Sequence, residues 1–257
     1  MKRNSQLKLI FPAWQIESLE DLAVITWTDA SNHNRADKSS SLGILTGIAP
    51  KSMLDGEECQ VAIVQWKSGK CPRAVLGSNG AEVQGLTVGE DQNYHIRALL
   101  YEVSGRRIDR QNLHRQVATV PGALVLDSRG IFDAATRNLS ALHGLRDSRA
   151  GYELTLAMLN AKKADTRLRW VCGIAQLADS LTKFADRKAF LQFMSQKQYW
   201  RLVDDPTFTA GRKIHKKVFE QKLKETEEFF MNAVEKMARE SNWPWIEDAE
   251  ASYEPLT

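Results

Sequence analysis

The chain has 257 residues, of which 43% are hydrophobic, so it is long enough for one large domain or for one domain with an appendage. Its net charge of +3 is only mildly basic and does not require a nucleic-acid partner, so any binding face must come from local clustering. Three cysteines without metal-type spacing argue against a disulfide framework, and no apolar run has transmembrane length, so we expect an intracellular protein without a membrane partner.

The first part of the chain predicts three β-strands followed by a helix. Apolar runs at 22–28, 41–49 and 59–68 are separated by polar segments rich in turn-forming residues, which indicates an antiparallel meander. Apolar residues then recur at helical spacing from Ala81 to Val103, so a helix is expected there.

The second part predicts two further strands among helices. In chain order, the elements are a polar basic segment (104–116), a buried strand (123–128), helices at about 129–139 and about 148–162, a strand (166–173) and a closing helix that begins near Gln176. The second of these helices carries Tyr152, Leu156 and Leu159 on one side. The order βββαβααβα indicates a mixed α/β fold, in which a parallel crossover places the first and fourth strands side by side.

Residues 184–257 differ from the rest and are predicted to form a helical C-terminal extension of a domain that comprises residues 1–183. A long amphipathic helix is expected at 212–240, and an acidic tail that contains proline follows it. The sequence leaves three roles open for this helix: packing on the domain, self-association, or extension of a basic surface.

Four acidic residues have settings that point to a common site: Asp29, Glu82, Asp127 and Asp179. Asp29 and Asp127 end apolar, β-rich runs, and such a position is rigid yet open to solvent. The other two acids lie on predicted helices. Four carboxylates brought together cannot all ionise comfortably unless cations hold them. Carboxylates with open coordination positions suit Mg²⁺ or Mn²⁺, and a pair of such ions suits phosphodiester chemistry.

The order of these acids and their flanking sequences resemble the ribonuclease H domain of copia-type retrotransposon polyproteins. The resemblance extends from about Leu22 to Lys183. It includes the segments WTDAS, SLGILTGIA, CQVAIVQWKSGK, VLGSNGAEVQGL, HIRALLYEV, VLDSRGIFDA and QLADSLTK. The implied fold is a ribonuclease H-like mixed five-stranded sheet, with its first three strands antiparallel, flanked by helices and followed by the helical extension.

The resemblance implies that the four acids hold two Mg²⁺ ions, for which Mn²⁺ can substitute. Asp29 would bridge the ions, while Glu82 and Asp127 would complete the ion that steadies the leaving 3′ oxygen. Asp179 would complete the ion that activates the attacking water. The implied activity is endonucleolytic cleavage of the RNA strand of an RNA–DNA hybrid, which leaves a 5′-phosphate and a 3′-hydroxyl.

Two further groups of residues are candidates for binding nucleic acid. The arginines of the basic segment, Arg106, Arg107, Arg110 and Arg115, either bind phosphates of the hybrid or belong to a solvated insertion loop. Ser78 and Asn79 precede Glu82 and either contact the minor-groove face of the RNA strand or cap the helix.

The resemblance also implies a biological setting. Such a domain normally follows a reverse transcriptase domain in one polyprotein, so that domain is an expected partner, and the cytoplasm, a virus-like particle or the nucleus are the expected locations. Two rival functions remain: a catalytically silent module that binds nucleic acid or protein, and a transposase or integrase. The second is disfavoured because those enzymes place a glutamate last, whereas the last acid here is Asp179.

Overall fold

The computed structural model describes residues 8–136, 145, 147–183 and 187–202 of the chain. The strands in these regions are β1 (Leu22–Ser31), β2 (Ser41–Pro50), β3 (Cys59–Gln60), β4 (Ala62–Lys70), β5 (Gly122–Leu126), β6 (Thr166–Trp170) and β7 (Tyr199–Trp200). The helices are α1 (Ser78–Val103), α2 (Leu113–Ala118), α3 (Arg129–Thr136), α4 (Ser148–Lys163), α5 (Asp179–Thr182) and α6 (Lys188–Ser195).

Five strands form one mixed sheet in the order β4-β2-β1-β5-β6. β1 is antiparallel to β2, and β2 is antiparallel to β4, whereas β1, β5 and β6 run parallel to one another. The mixed five-stranded sheet flanked by helices that was expected from the sequence is confirmed, including the antiparallel first three strands and the parallel neighbours β1 and β5.

The register of the sheet brings two of the predicted acids to the same edge. Trp27 of β1 lies opposite Val125 of β5. Two residues further along each strand are Asp29 and Asp127, and a step of two keeps side chains on the same face of a sheet. The parallel pairing therefore places both carboxylates on one face, at the carboxyl ends of the two strands.

Helix α1 packs closely on the central strands because glycines line its contact face. A Cβ atom on Gly89 would collide with the Cγ2 atom of Thr28, and one on Gly85 would lie 3.4 Å from the carbonyl oxygen of Asp29. All of the residues from Leu22 to Ala30 are buried, so β1 is the centre of the core. The close approach of α1 brings its first turns, which carry Glu82, against the end of β1.

The structure modifies the predicted third strand and the start of the predicted extension. The run at 59–68 divides at Val61 into β3 and β4, and the N–H group of Val61 donates to the carbonyl oxygen of Gln198 at 2.8 Å. β3 pairs with β7, and Phe193 of α6 is fully buried. Residues 187–202 thus contact the sheet domain, while the amphipathic segment 212–240 and the acidic tail lie outside the described residues. None of the described helices combines the length and the apolar character that crossing a bilayer requires.

Candidate active site

Three of the four predicted acids meet at one edge of the sheet. Asp29 lies near the end of β1, Asp127 directly follows β5, and Asp179 begins α5. Each contributes a carboxylate oxygen, and these three oxygens lie within 4.8 Å of one another. Asp29 is 1% exposed, whereas the other two are half-buried. Three anionic groups are therefore concentrated in a partly dry position, where charge repulsion is only weakly screened.

The fourth acid, Glu82, is half-buried in the first turns of α1 and belongs to the same electrostatic environment. Burial raises the pKa of its carboxyl well above the ordinary value, and the charges of Asp29 and Asp127 raise it further. We refer to Asp29, Glu82, Asp127 and Asp179 together as the acid cluster. The structure thus gathers all four predicted site residues from the ends of two strands and from two helices that are distant in sequence.

Asp127 and Asp179 are also hard to ionise. Burial, followed by the charge of Asp29, raises the pKa of Asp127 to about 6 and that of Asp179 to about 7. Protonation relieves the repulsion when no cation is bound, because like charges in close proximity disfavour a second ionised group. A cluster with pKa values raised in this way is typical of a site that is completed by positive charge.

Lys183 supplies positive charge to this position. Its Nζ atom lies 2.9 Å from Oδ1 of Asp179 and 3.7 Å from Oδ1 of Asp29, and its side chain is 35% exposed. The hydrogen bond to Asp179 and the charges of the aspartates raise the pKa of the Lys183 ammonium, so it is fully charged at neutral pH. One ammonium group leaves most of the negative charge of the acid cluster uncompensated.

Two polar residues fix the orientation of the aspartates. The hydroxyl of Thr182 donates a hydrogen bond to Oδ2 of Asp29. The amide of Gln176 is completely buried, donates to the carbonyl oxygen of Thr28 at 3.1 Å, and hydrogen-bonds the carboxylate of Asp127, which lowers the pKa of that group against the effect of burial. These contacts connect the segment before α5 to the ends of both β1 and β5.

Sequence analysis did not identify Lys183, Thr182 or Gln176. Lys183 had a detectable signal, because it follows Asp179 by four residues and such pairs meet on a helix. No comparable signal marks Thr182 and Gln176, since their partners on β1 are about 150 positions away in the sequence. Only the folded arrangement reveals these contacts.

Ser78 and Asn79 are exposed in the first turn of α1. The alternative that they cap the helix is wrong: Gly77 occupies the N-cap position, with a φ of 99°, and no side chain caps the first turn. The left-handed backbone at this position favours glycine. Both residues instead line an open cavity of about 670 Å³, together with His33, Leu145 and neighbouring residues. Their side chains are thus available to a ligand on the same end of α1 as Glu82.

The arginines of the basic segment are not brought to the acid cluster. They follow the C-terminal end of α1, and Glu82 lies near its other end, so about 30 Å of helix separates the two regions. Arg106, Arg107, Arg110 and Arg115 are all exposed. Arg106 also lies over the ring of Tyr101 and 3.7 Å from Oε1 of Glu20. Contact with nucleic acid by this segment stays a prediction, and it would need a ligand that extends well beyond the acids.

The residues present fit a hard divalent cation. The acid cluster offers only carboxylate oxygens, which are the ligands preferred by Mg²⁺ and Mn²⁺, and it contains no cysteine or histidine that would select a softer metal. The raised pKa values of its members are consistent with a site that lacks its full positive charge. The cluster can hold such an ion through Asp29, Asp127 and Asp179, with Glu82 as a further ligand.

No protein-family model matches the chain, and no curated protein matches it in sequence. Several solved structures share part of its shape. Ribonuclease H1 of the halophilic archaeon Halobacterium salinarum is 14% identical, with a TM-score of 0.38, and the match covers 65% of this chain and 97% of that one. For the RNase H domain of prototype foamy virus, the identity is 13%, the TM-score is 0.40 and the coverage is 64% and 94%.

A third match is the foamy viral protease-reverse transcriptase in complex with an RNA/DNA hybrid. It is 13% identical, with a TM-score of 0.42, and the match covers 70% of this chain and 22% of that much longer one. Similarity at this level is partial and carries no information on activity. The chemistry of this chain therefore has to be derived from its own residues.

Proposed function

We propose that this protein is a metal-dependent endonuclease that hydrolyses the RNA strand of RNA–DNA hybrids. The observation that supports this proposal is the convergence of carboxylates from Asp29, Asp127 and Asp179 within 4.8 Å at the edge of the sheet. Structural ion pairs do not require such an arrangement, because it costs free energy unless cations are bound. Hydrolysis of a phosphodiester is a reaction that uses cations held by carboxylates in this way.

The acid cluster would hold two Mg²⁺ ions through the carboxylates of Asp29, Glu82, Asp127 and Asp179. Once bound, the ions supply the positive charge that an in-line displacement at phosphorus needs. The chain itself supplies rigid placement of the ligands. Thr182 holds the carboxylate of Asp29, and the amide of Gln176 holds that of Asp127. The expected products are a 5′-phosphate and a 3′-hydroxyl.

Selectivity for RNA requires contacts with the 2′-hydroxyl, because that group distinguishes the two strands of a hybrid. We assign this role to Ser78 and Asn79. They are exposed, do not cap α1, and lie on the same end of the helix as Glu82. A hydroxyl and an amide can each donate and accept hydrogen bonds, as a 2′-hydroxyl requires.

We further propose that the protein acts in retroelement replication, as the ribonuclease H domain of a copia-type retrotransposon polyprotein. The support is the ordered set of sequence segments from WTDAS to QLADSLTK. In that setting, a reverse transcriptase domain would supply the hybrid. The site of action would be intracellular, in the cytoplasm, a virus-like particle or the nucleus.

The test is cleavage of an RNA–DNA hybrid labelled on its RNA strand, with Mg²⁺ or Mn²⁺ compared with EDTA. Single-stranded RNA, duplex RNA and duplex DNA are the comparison substrates. We expect cleavage of the hybrid alone, only with metal, and loss of cleavage in Asp127→Asn. The matched control is Asp133→Asn, since Asp133 lies six residues away and contacts Arg129 on the outer face of α3 at 3.8 Å.

The results separate the enzyme from its rivals. Folded protein that binds the hybrid without cleaving it would identify a silent binding module. Metal-dependent strand transfer on DNA would identify a transposase-like enzyme. Equal loss of activity in the Asp127 and Asp133 variants would show that the effect does not arise from the acid cluster.

A further inference from the structure

The ammonium group of Lys183 lies beside two of the carboxylates that would bind a metal ion. Its ammonium group is 2.9 Å from Oδ1 of Asp179 and 3.7 Å from Oδ1 of Asp29. Both carboxylates belong to the acid cluster, and Asp29 is almost completely buried. The ion pair is therefore unlike the exposed pair between Lys70 and Asp37, in which both side chains are more than half exposed.

The backbone of Lys183 is anchored, while its side chain is partly exposed. Its N–H group donates to the carbonyl oxygen of Asp179 at 2.9 Å, which closes the last turn of α5. The side chain is 35% exposed, so the ammonium group has a route to solvent. The lysine side chain has a flexible stem of four carbons, so the ammonium group can leave the carboxylates without any change in the fold.

We propose that Lys183 is the resident counter-ion of the metal-free acid cluster, and that a divalent ion at Asp179 and Asp29 displaces it. This inference rests on the metal site of the proposed function. The same Oδ1 atom of Asp179 that accepts the lysine hydrogen bond would have to approach a Mg²⁺ ion to about 2.1 Å. An ammonium group and a divalent cation cannot share that position, because they repel each other and compete for the same lone pairs.

The proposed competition has two measurable consequences of opposite sign. In the metal-free protein, Lys183 reduces the repulsion among the carboxylates, so its removal destabilises the fold. In the presence of metal, Lys183 has to be displaced, so its removal tightens metal binding. A merely structural ion pair would produce the first effect without the second. A lysine that only contacts nucleic acid would produce neither effect.

The experiment uses the full chain without nucleic acid. Calorimetric titration with Mn²⁺ and with Mg²⁺ measures the affinity of wild type, Lys183→Met and Lys183→Gln. We expect both variants to bind the ion about tenfold more tightly, since one nearby positive charge has been removed from a partly solvated site. Thermal unfolding in EDTA should show a lower midpoint for both variants, and added metal should raise that midpoint further than in wild type.

Lys70→Met is the matched control, because it removes a lysine of similar ion-pair distance on β4, at the edge of the sheet. Its metal affinity should equal that of wild type. Equal or weaker metal binding by the two Lys183 variants would overturn the inference, as would a lack of metal binding by every variant.

The inference and the proposed function fail in different ways. If the wild type cleaves hybrids with metal but the Lys183 variants bind metal no more tightly, the inference is wrong and the function stands. If removal of Lys183 tightens metal binding and no protein cleaves any nucleic acid, the counter-ion role stands and the nuclease assignment is wrong.

Discussion

Two positions along α1 bury charge in opposite ways. Arg97 is 0% exposed, and its guanidinium is satisfied by neutral acceptors: it donates to the carbonyl oxygen of Val120 at 2.6 Å, to that of Ala164, and to the hydroxyl of Thr166 at 2.6 Å. Burial lowers the pKa of Arg97 to about 10, so the group remains charged at neutral pH. Fixed dipoles from three segments stabilise this cation in place.

The acid cluster, four turns away on the side of Glu82, contains like charges with little compensation. Thr182, Gln176 and Lys183 offer contacts, yet the pKa values of Glu82, Asp127 and Asp179 remain raised. A fully satisfied buried charge joins elements of the fold, whereas an unsatisfied cluster destabilises it until a ligand binds. The comparison separates a structural role from a functional one without reference to any other protein.

The largest expected effect comes from removal of the satisfied charge. Arg97→Met should lower the free energy of unfolding by about 3–5 kcal/mol, because it leaves buried carbonyls of Val120 and Ala164 without a donor. Denaturation by urea, with EDTA or with Mg²⁺, measures the change. Arg107→Met, at an exposed position, should change stability by less than about 0.5 kcal/mol. A similar loss in both variants would contradict the anchoring role of Arg97.

At the acid cluster, removal of a charge is expected to raise the free energy of unfolding rather than to lower it. Asp127→Asn should raise the free energy of unfolding of the metal-free protein by about 1–3 kcal/mol, because a pKa near 6 means that burial and Asp29 oppose its charge. The same change should abolish cleavage and weaken metal binding. Urea denaturation in EDTA checks the stability, and Asp133→Asn is the control. Destabilisation by Asp127→Asn would show that the carboxylate contributes to folding more than it opposes it.

The fold and the four acids were predictable because their signals are local. Apolar runs mark the strands, and Asp29 and Asp127 each stand where such a run ends. The order of strands and helices then determines which ends meet. Residues that act through long-range contacts carry no such mark: Gln176 and Thr182 resemble ordinary polar residues until the segment before α5 folds against β1.

One interpretation failed for a physical reason that the sequence does not contain. The apolar side of α4 was predicted from Tyr152, Leu156 and Leu159, yet Tyr152 and Leu156 are more than half exposed. Helix α4 instead packs mainly against α1 through the narrower face with Ala150, Leu154, Ala157 and Ala161. Small residues allow close packing of a helix, so the size of the side chains, rather than their hydrophobicity, determined which face is buried.

A smaller effect should appear in the pH dependence of stability. The pKa values of Asp127 and Asp179 are about 6 and about 7 in the folded protein, against an ordinary value of 3.8. The folded state therefore binds more protons than the unfolded state between these values. The metal-free protein should therefore lose free energy of unfolding through these groups as the pH rises from about 4 to about 7.

Urea denaturation across this pH range in EDTA measures the loss. Burial raises the pKa of Glu90 to about 7, so this residue adds a similar pH dependence of stability to every variant. The pH profile of each variant must therefore be compared with that of wild type. Asp127→Asn should flatten the profile, and saturating Mg²⁺ should flatten it in the wild type. An identical slope in EDTA and in Mg²⁺ would mean that metal binding does not compete with protonation of these aspartates.

The smallest expected effect on stability lies at the start of α1. A helix N-cap contributes about 1 kcal/mol, but Gly77 holds that position and Ser78 caps nothing. Ser78→Ala should therefore change the free energy of unfolding by less than about 0.5 kcal/mol. If Ser78 recognises the 2′-hydroxyl, the same variant should bind RNA–DNA hybrid more weakly while binding duplex DNA as before. Loss of stability with unchanged binding would restore the capping role, and the contrast with Arg97 would then no longer distinguish structural from functional polar groups along this helix.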